Sequence, residues 1–76
     1  MSEKIYSKAT GKSYTPSKVV RIVNVLQAAT YMMYGAELLD IYSTRDYNTH
    51  RPMMVFIFDR EATTPLYDAW CNRTLR

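Results

Sequence analysis

The sequence predicts a small α+β domain, in which a three-stranded antiparallel sheet carries two helices. The first observation is a run of six apolar residues between Pro52 and Asp59, which is too short for a helix and indicates a strand with both faces buried. The second is the polar segment 45–51, which separates this run from the apolar stretch 37–44 as the loop of a hairpin does. We therefore expect the order short strand, helix, β-hairpin, helix.

Length and composition are those of one globular domain. The chain has 76 residues, of which 47% are apolar and 22% charged, and this separates it from disordered chains. No apolar run reaches the roughly 18 residues of a membrane span, and no signal-peptide pattern is present. Cys71 is the only cysteine, so an internal disulfide is impossible and a reducing compartment suits the chain. We expect a soluble protein of the cytoplasm, or of the host cytoplasm if a phage encodes it.

The positive charge is concentrated near the N-terminus. Residues 1–18 carry four lysines and one glutamate, whereas basic and acidic residues balance from residue 19 onward, so the net charge of +3 belongs to the first segment. Residues 1–17 are polar, with Gly11 and Ser13 as breakers. We expect them to form a basic, poorly ordered arm, and residues 18–76 to form the folded domain. Such an arm is either a solvated terminus or a segment that touches phosphates or an acidic surface.

The first two elements of the domain lie before residue 36. Residues 18–23 fit a strand, because four of the six are β-branched, but they also fit the first turns of a helix that begins at Pro16. Asn24 is a favoured helix cap with Gln27 three residues later, and Gly35 supplies a common helix end. We therefore expect a helix over residues 25–34.

This helix is apolar on nearly every side, although a surface helix of a monomer normally has a polar half. The sheet poses the same difficulty, since two short helices on one side leave its other face open. We expect a homodimer that buries Tyr31, Met32 and Met33, or else the free sheet face. The alternatives are that the N-terminal arm folds back over that face, or that the closing helix lies there.

The hairpin strands should alternate between the two faces of the sheet. In residues 37–44, this alternation assigns Leu38 and Asp40 to one face and Leu39 and Ile41 to the other. The faces of the next strand are formed by Met53, Val55 and Ile57 and by Met54, Phe56 and Phe58.

After the hairpin, Asp59 caps a short turn over residues 60–62. A separate helix then begins at Thr64-Pro65, because proline is tolerated at the first helical position. One face of this closing helix should pack onto the hairpin, and its residues are Leu66, Ala69, Trp70 and Arg73.

Short motifs punctuate residues 24–72, and they are Ala28-Ala29, Gly35, Leu38-Leu39-Asp40, Val55-Phe56-Ile57-Phe58-Asp59 and Trp70-Cys71-Asn72. With them the chain resembles a small, uncharacterised domain family of bacteria and their phages. The resemblance implies a fold rather than an activity, and it favours a strand for residues 18–23. The chain departs from the family pattern at Thr64-Pro65, where the family helix is uninterrupted, and in its longer hairpin loop.

The sequence offers little for catalysis. One His and one distant Cys fall short of the three or four ligands of a metal site. A nucleophilic pair of Cys71 and His50 is compatible with the spacing, but a small buried thiol fits Cys71 better. The glycines are too few for a phosphate-binding loop, and no pair of carboxylates is marked out. We expect no enzyme, no cofactor and no metal.

Tyrosine and arginine are the candidate binding residues. Seven tyrosines in this short chain can anchor a protein interface, stack on unpaired bases, or fill a small core with their hydroxyls at the rim. We expect partner binding through Tyr31, Tyr34, Arg45, Tyr47, His50 and Arg51.

Two classes of function follow from these residues. The first is a non-enzymatic interaction protein of a phage or mobile element that binds and modulates a larger protein. In style, though not in motif, the chain resembles the small inhibitors that phages use against bacterial defences, including anti-CRISPR proteins. The alternative is a small nucleic-acid-binding protein that uses the basic arm and exposed Arg and Tyr. The neutral charge of residues 19–76 argues against this alternative, because nucleic-acid-binding faces usually cluster Lys and Arg.

Overall fold

The computed structural model describes residues 3–73 and confirms the predicted α+β architecture. A three-stranded antiparallel sheet carries two helices, and a second, two-stranded sheet precedes them. The elements are β1 (Ile5–Tyr6), β2 (Ser13–Tyr14), a 3-10 turn (Pro16–Lys18), β3 (Val19–Ile22), α1 (Val25–Met33), β4 (Leu38–Arg45), β5 (Pro52–Asp59) and α2 (Arg60–Cys71).

Strand β5 lies at the centre of the main sheet, between β3 and β4. Its apolar run is buried on both faces, as predicted. Phe56 and Phe58 pack on the side of the two helices, whereas Val55 and Ile57 pack on the opposite side. The segment that fitted either a strand or a helix is β3, which pairs with the second half of β5.

Helix α1 begins and ends where the sequence predicts, to within one residue. The Asn24 side chain accepts a hydrogen bond from the Gln27 amide at 3.1 Å, which satisfies one of the free donors of the first turn. Gly35 follows the helix with a positive φ of 92°, a conformation that costs glycine little. The side chain of Gln27 donates to the hydroxyl of Tyr31 at 2.9 Å, so it is turned along the helix.

A β-bulge near the start of β4 changes which residues face which side. Leu38 pairs with Phe58 and Asp40 pairs with Ile57, so Leu39 is an extra residue in the strand. Leu38 therefore packs on the helix side, and Leu39 packs on the opposite side. The alternation that assigned Leu38 and Asp40 to one face is wrong, because it assumes one residue of β4 for each residue of β5.

Helix α2 is continuous, and the predicted break before Thr64-Pro65 is wrong. Its first turn is capped by Asp59, whose carboxylate accepts a hydrogen bond from the Ala62 amide at 2.9 Å. Proline inside a helix removes one backbone hydrogen bond. The helix tolerates this loss because its cap is in place and three residues of its predicted inner face, Leu66, Ala69 and Trp70, pack on the core. The fourth predicted residue, Arg73, lies beyond the end of the helix and is exposed, so its assignment to the inner face is wrong.

The N-terminal segment differs from the loose arm that we expected for residues 1–17. In its described part, β1 and β2 form an antiparallel hairpin. Ser7 and Tyr14 are buried, and the Thr10 hydroxyl donates to the Leu39 carbonyl at 2.7 Å. This hairpin covers the Val55 side of the sheet, so that face is closed within one chain. The polar composition misled the expectation because the contacts of these residues are long-range.

Candidate functional site

The residues predicted to bind a partner do not form one surface. Tyr31 has no exposed surface, and its ring meets that of Phe58 edge-on at 5.6 Å between centroids. It is a core residue, and its prediction as a partner contact is therefore wrong. Tyr34 is half-exposed at the end of α1. Helix α1 packs beside Phe58, and Phe58 pairs with the first residue of β4. Tyr34 therefore lies toward the end of the sheet that is opposite the loop between β4 and β5.

The other four predicted residues meet at the loop between β4 and β5. Arg45 donates to the His50 carbonyl at 2.9 Å, and Tyr47 at the tip is 91% exposed. The Asp46 carboxylate accepts from the amides of Thr49 and Asn48 at 2.9 and 2.8 Å. These hydrogen bonds lower the pKa of Asp46, and they fix the loop in one shape, in which Tyr47 is presented to solvent.

The two groups considered for catalysis, Cys71 and His50, have different hydrogen-bond partners among the described residues. Cys71 is exposed, so the expectation of a buried thiol is wrong. A hydrogen bond with Cys71 raises the pKa of Tyr67. The described hydrogen bonds of His50 stay within the hairpin loop. Among residues 3–73, no three His, Cys, Asp or Glu side chains come close enough to hold a metal ion.

A buried polar cluster lies under the N-terminal hairpin. The Asp40 carboxylate accepts from the Ser7 hydroxyl at 2.6 Å, from the Tyr14 hydroxyl at 2.7 Å and from the Ile41 amide at 2.8 Å. Burial alone would raise the pKa of Asp40, but the three hydrogen bonds outweigh it and lower the pKa. Burial, together with the hydrogen bond to Asp40 and its charge, raises the pKa of Tyr14 to about 12. We regard this cluster as structural, because the hydroxyls of Ser7 and Tyr14 and the Ile41 amide already donate to Asp40.

The outward face of α1 is an exposed apolar surface, which we call the α1 face and define as Val25, Leu26, Ala29 and Met33. Val25 is 60% exposed, Leu26 68% and Met33 84%. The opposite side of the helix packs into the core through Ala28 and Tyr31. The sequence already indicated this surface, because residues 25–34 lack a polar half, but it did not show which side is buried.

The outer edge of β3 is a second open surface, which the sequence analysis missed. Two clefts flank this edge, one on each face of the sheet, and Arg21 and Arg60 line both of them. The guanidinium of Arg60 donates to the Val19 carbonyl at 3.1 Å. The sequence signal for this surface is the alternation of Val20, Arg21 and Ile22, which places one charged residue on an otherwise apolar strand edge.

Comparisons with known proteins do not add to this geometry. No protein-family model, no curated protein and no solved structure matches the chain. The likeness to a bacterial and phage domain family therefore stays a prediction. In the part of the chain that the structure describes, no helix combines the length and apolar character needed to cross a membrane.

Proposed function

We propose that the protein is a non-enzymatic binding module of the cytoplasm, which docks on a larger protein through the α1 face. The observation that supports this proposal is the exposure of Val25, Leu26 and Met33 on one side of a well-capped helix. An apolar side chain that stays in water forgoes about 1.5–3 kcal/mol of burial free energy. Such a patch on a small domain is typical of a surface that another protein covers.

The polar side chains of α1 do not add polar groups to the α1 face, because they make hydrogen bonds within the helix. Gln27 donates to the Tyr31 hydroxyl, and the Thr30 hydroxyl donates to the Leu26 carbonyl at 2.7 Å. No charged residue lies between Arg21 and Glu37. An apolar helix face without charge is the kind of surface that fits into a hydrophobic groove or packs on another apolar helix.

The setting in which such a module acts is part of the proposal. Inhibition of a host defence complex, such as a CRISPR effector, is consistent with a small protein that offers an apolar docking face and no marked catalytic residues. A homodimer through the same face is the competing use, because an uncharged apolar stripe is compatible with a second copy of itself.

Two variants of Met33 test the α1 face. Met33 is highly exposed, so Met33→Glu should fold normally while adding a charge to the surface, and Met33→Leu keeps it apolar as a matched control. We expect proteins captured from host lysate by the wild type to be captured by Met33→Leu and lost with Met33→Glu. Capture that is equal for both variants would overturn the proposal.

Light scattering at concentrations on the order of tens of micromolar separates the two uses of the face. A wild-type mass near 8.9 kDa leaves the α1 face to a different protein. A mass near twice that value, which returns to the monomer in Met33→Glu, indicates the homodimer instead. A dimer that persists in Met33→Glu would show that the α1 face is not the seam.

A second candidate function, nucleic-acid binding, rests on the hairpin loop. Tyr47 is the most exposed of the large apolar and aromatic side chains among residues 3–73, and Arg45 and Arg51 lie beside it. Exposed tyrosine with neighbouring arginine can stack on an unpaired base and contact its phosphate. We expect weak, strongly salt-dependent binding to single-stranded DNA, measured by fluorescence anisotropy. Binding at physiological salt that is lost in Tyr47→Ala would favour this function over the first.

A further inference from the structure

The edge of β3 is open on the side away from β5. The main sheet has the order β3-β5-β4, and within residues 3–73 no strand lies beyond β3. The outer edge of a strand carries backbone N–H and C=O groups that can pair with a further strand. At its first residue, the Val19 carbonyl is met by the side chain of Arg60 rather than by a strand.

Two clefts lie on either side of this edge. The cleft on the helix side has a volume of about 310 Å³, and its lining includes Val20, Ile22, Thr63 and Tyr67. The cleft on the side of the N-terminal hairpin has a volume of about 530 Å³, and its lining includes Ile5, Val19, Tyr42 and Ile57. Successive side chains of an added strand would point alternately into the two clefts. The other edge strand, β4, is partly covered at its start, where Thr10 bonds the Leu39 carbonyl.

The charges at this edge favour an acidic occupant. Arg21 and Arg60 line both clefts, and no carboxylate lines either of them. Val20 and Ile22 pack on the helix side, so the alternation of side chains along β3 puts Arg21 on the side of the N-terminal hairpin. An added strand would therefore direct apolar side chains to the helix side and carboxylates toward Arg21. A guanidinium and a carboxylate can form two parallel hydrogen bonds. A second copy of β3 fits poorly, because antiparallel pairing would bring two Arg21 side chains together.

We propose that the outer edge of β3 is a peptide-docking site, which takes an extended segment of a partner protein with alternating apolar and acidic residues as a fourth strand. The site is separate from the α1 face and does not depend on it. Arg21 supplies charge selectivity, and the open backbone of β3 supplies affinity.

A blocked hexapeptide of alternating Val and Glu is the probe, and the same peptide with Lys in place of Glu is its control. We expect the Val/Glu peptide to bind, to slow amide hydrogen exchange at Arg21, whose backbone groups face the open edge, and to bind at least about tenfold more tightly than the Val/Lys peptide. Anisotropy of the labelled peptides gives the affinities, and NMR gives the exchange rates. Equal binding of the two peptides, or binding without slowed exchange at β3, would overturn the proposal.

The variant Arg21→Glu reverses the charge of the site at an exposed position. We expect it to weaken Val/Glu binding by at least about tenfold and to strengthen Val/Lys binding, with an unchanged circular dichroism spectrum. Arg60→Gln repeats the test at the second guanidinium if Arg21→Glu fails to fold. Met33→Glu should bind the Val/Glu peptide as the wild type does, so that a failure of the α1 face and a failure of the β3 edge are distinguishable. Val/Glu binding that is unchanged in the folded charge variant would contradict the assignment.

Discussion

The two faces of the central sheet are closed in different ways. On the helix side, Phe56 and Phe58 pack against Ala28 and Tyr31, and partly buried residues of both helices surround them. On the hairpin side, a smaller apolar cluster lies around Val55 and Ile57, and beside it a buried carboxylate holds the N-terminal hairpin. One face is held by apolar packing and the other partly by hydrogen bonds to a charge.

This difference shows how a short chain can cover both faces of a strand. An unpaired buried carboxylate is costly, but Asp40 receives three donors, and each hydrogen bond to a charged group contributes about 1.5–3 kcal/mol. Two of these donors come from the hairpin, through Ser7 and Tyr14. The polar N-terminal segment is thereby fastened to a sheet that its few apolar residues could not hold alone.

The largest effect should come from removing apolar packing on the helix side. Phe58 is fully buried against Tyr31, so Phe58→Ala should cost about 3–5 kcal/mol in the free energy of unfolding. That is a large share of the stability of a domain of this size, which is roughly 4–11 kcal/mol. Urea unfolding measures the loss. A loss below about 1 kcal/mol would mean that this core is not tightly packed.

The next effect should come from the charge on the hairpin side. Asp40→Asn keeps the shape but removes the charge, so it should cost about 1–3 kcal/mol and increase proteolytic cleavage within residues 3–14. Asp46→Asn is the matched control, because its carboxylate also accepts amide hydrogen bonds but lies in the exposed loop, where an asparagine oxygen can replace it. Equal destabilisation by the two variants would contradict a special role for Asp40.

A smaller effect should appear in the pH dependence of stability. The pKa of Tyr14 is raised from 10.0 to about 12, so its contribution to folding is complete below pH 10 and is lost as the pH rises toward 12. The pKa of Asp40 is lowered, so its contribution is present at neutral pH and is lost as the pH falls through that lowered pKa. Tyr14→Phe should lack the alkaline loss. A thermal midpoint with the same alkaline dependence in both proteins would contradict this assignment.

The sequence predicted the features that depend on local chemistry. The cap at Asn24, the end at Gly35 and the buried strand Pro52–Asp59 all follow from neighbouring residues, and the structure confirms them. The predicted face of Leu39 was wrong, because a bulge depends on how two strands pair. The predicted helix break before Pro65 was wrong, because tertiary packing overrides a local helix breaker.

The candidate binding surfaces were predictable in the same uneven way. The excess apolar surface of α1 is visible in the sequence, and so is the polar loop that presents Tyr47. The burial of Tyr31 is not, because any side of an apolar helix can face the core. The β3 edge needed the strand order β3-β5-β4, which joins strands that are far apart in the chain.

Removal of residues 1–14 tests most directly the claim that the hairpin is part of the fold. The truncated chain lacks the two donors to Asp40 that the N-terminal hairpin supplies, Ser7 and Tyr14, and exposes Val55 and Ile57. We expect its thermal midpoint to fall by well over about 5 °C, since a loss of 1 kcal/mol shifts a domain of this size by roughly 4–8 °C. A midpoint unchanged within about 2 °C would show that the segment is a dispensable arm, and it would contradict the account of a sheet closed on both faces.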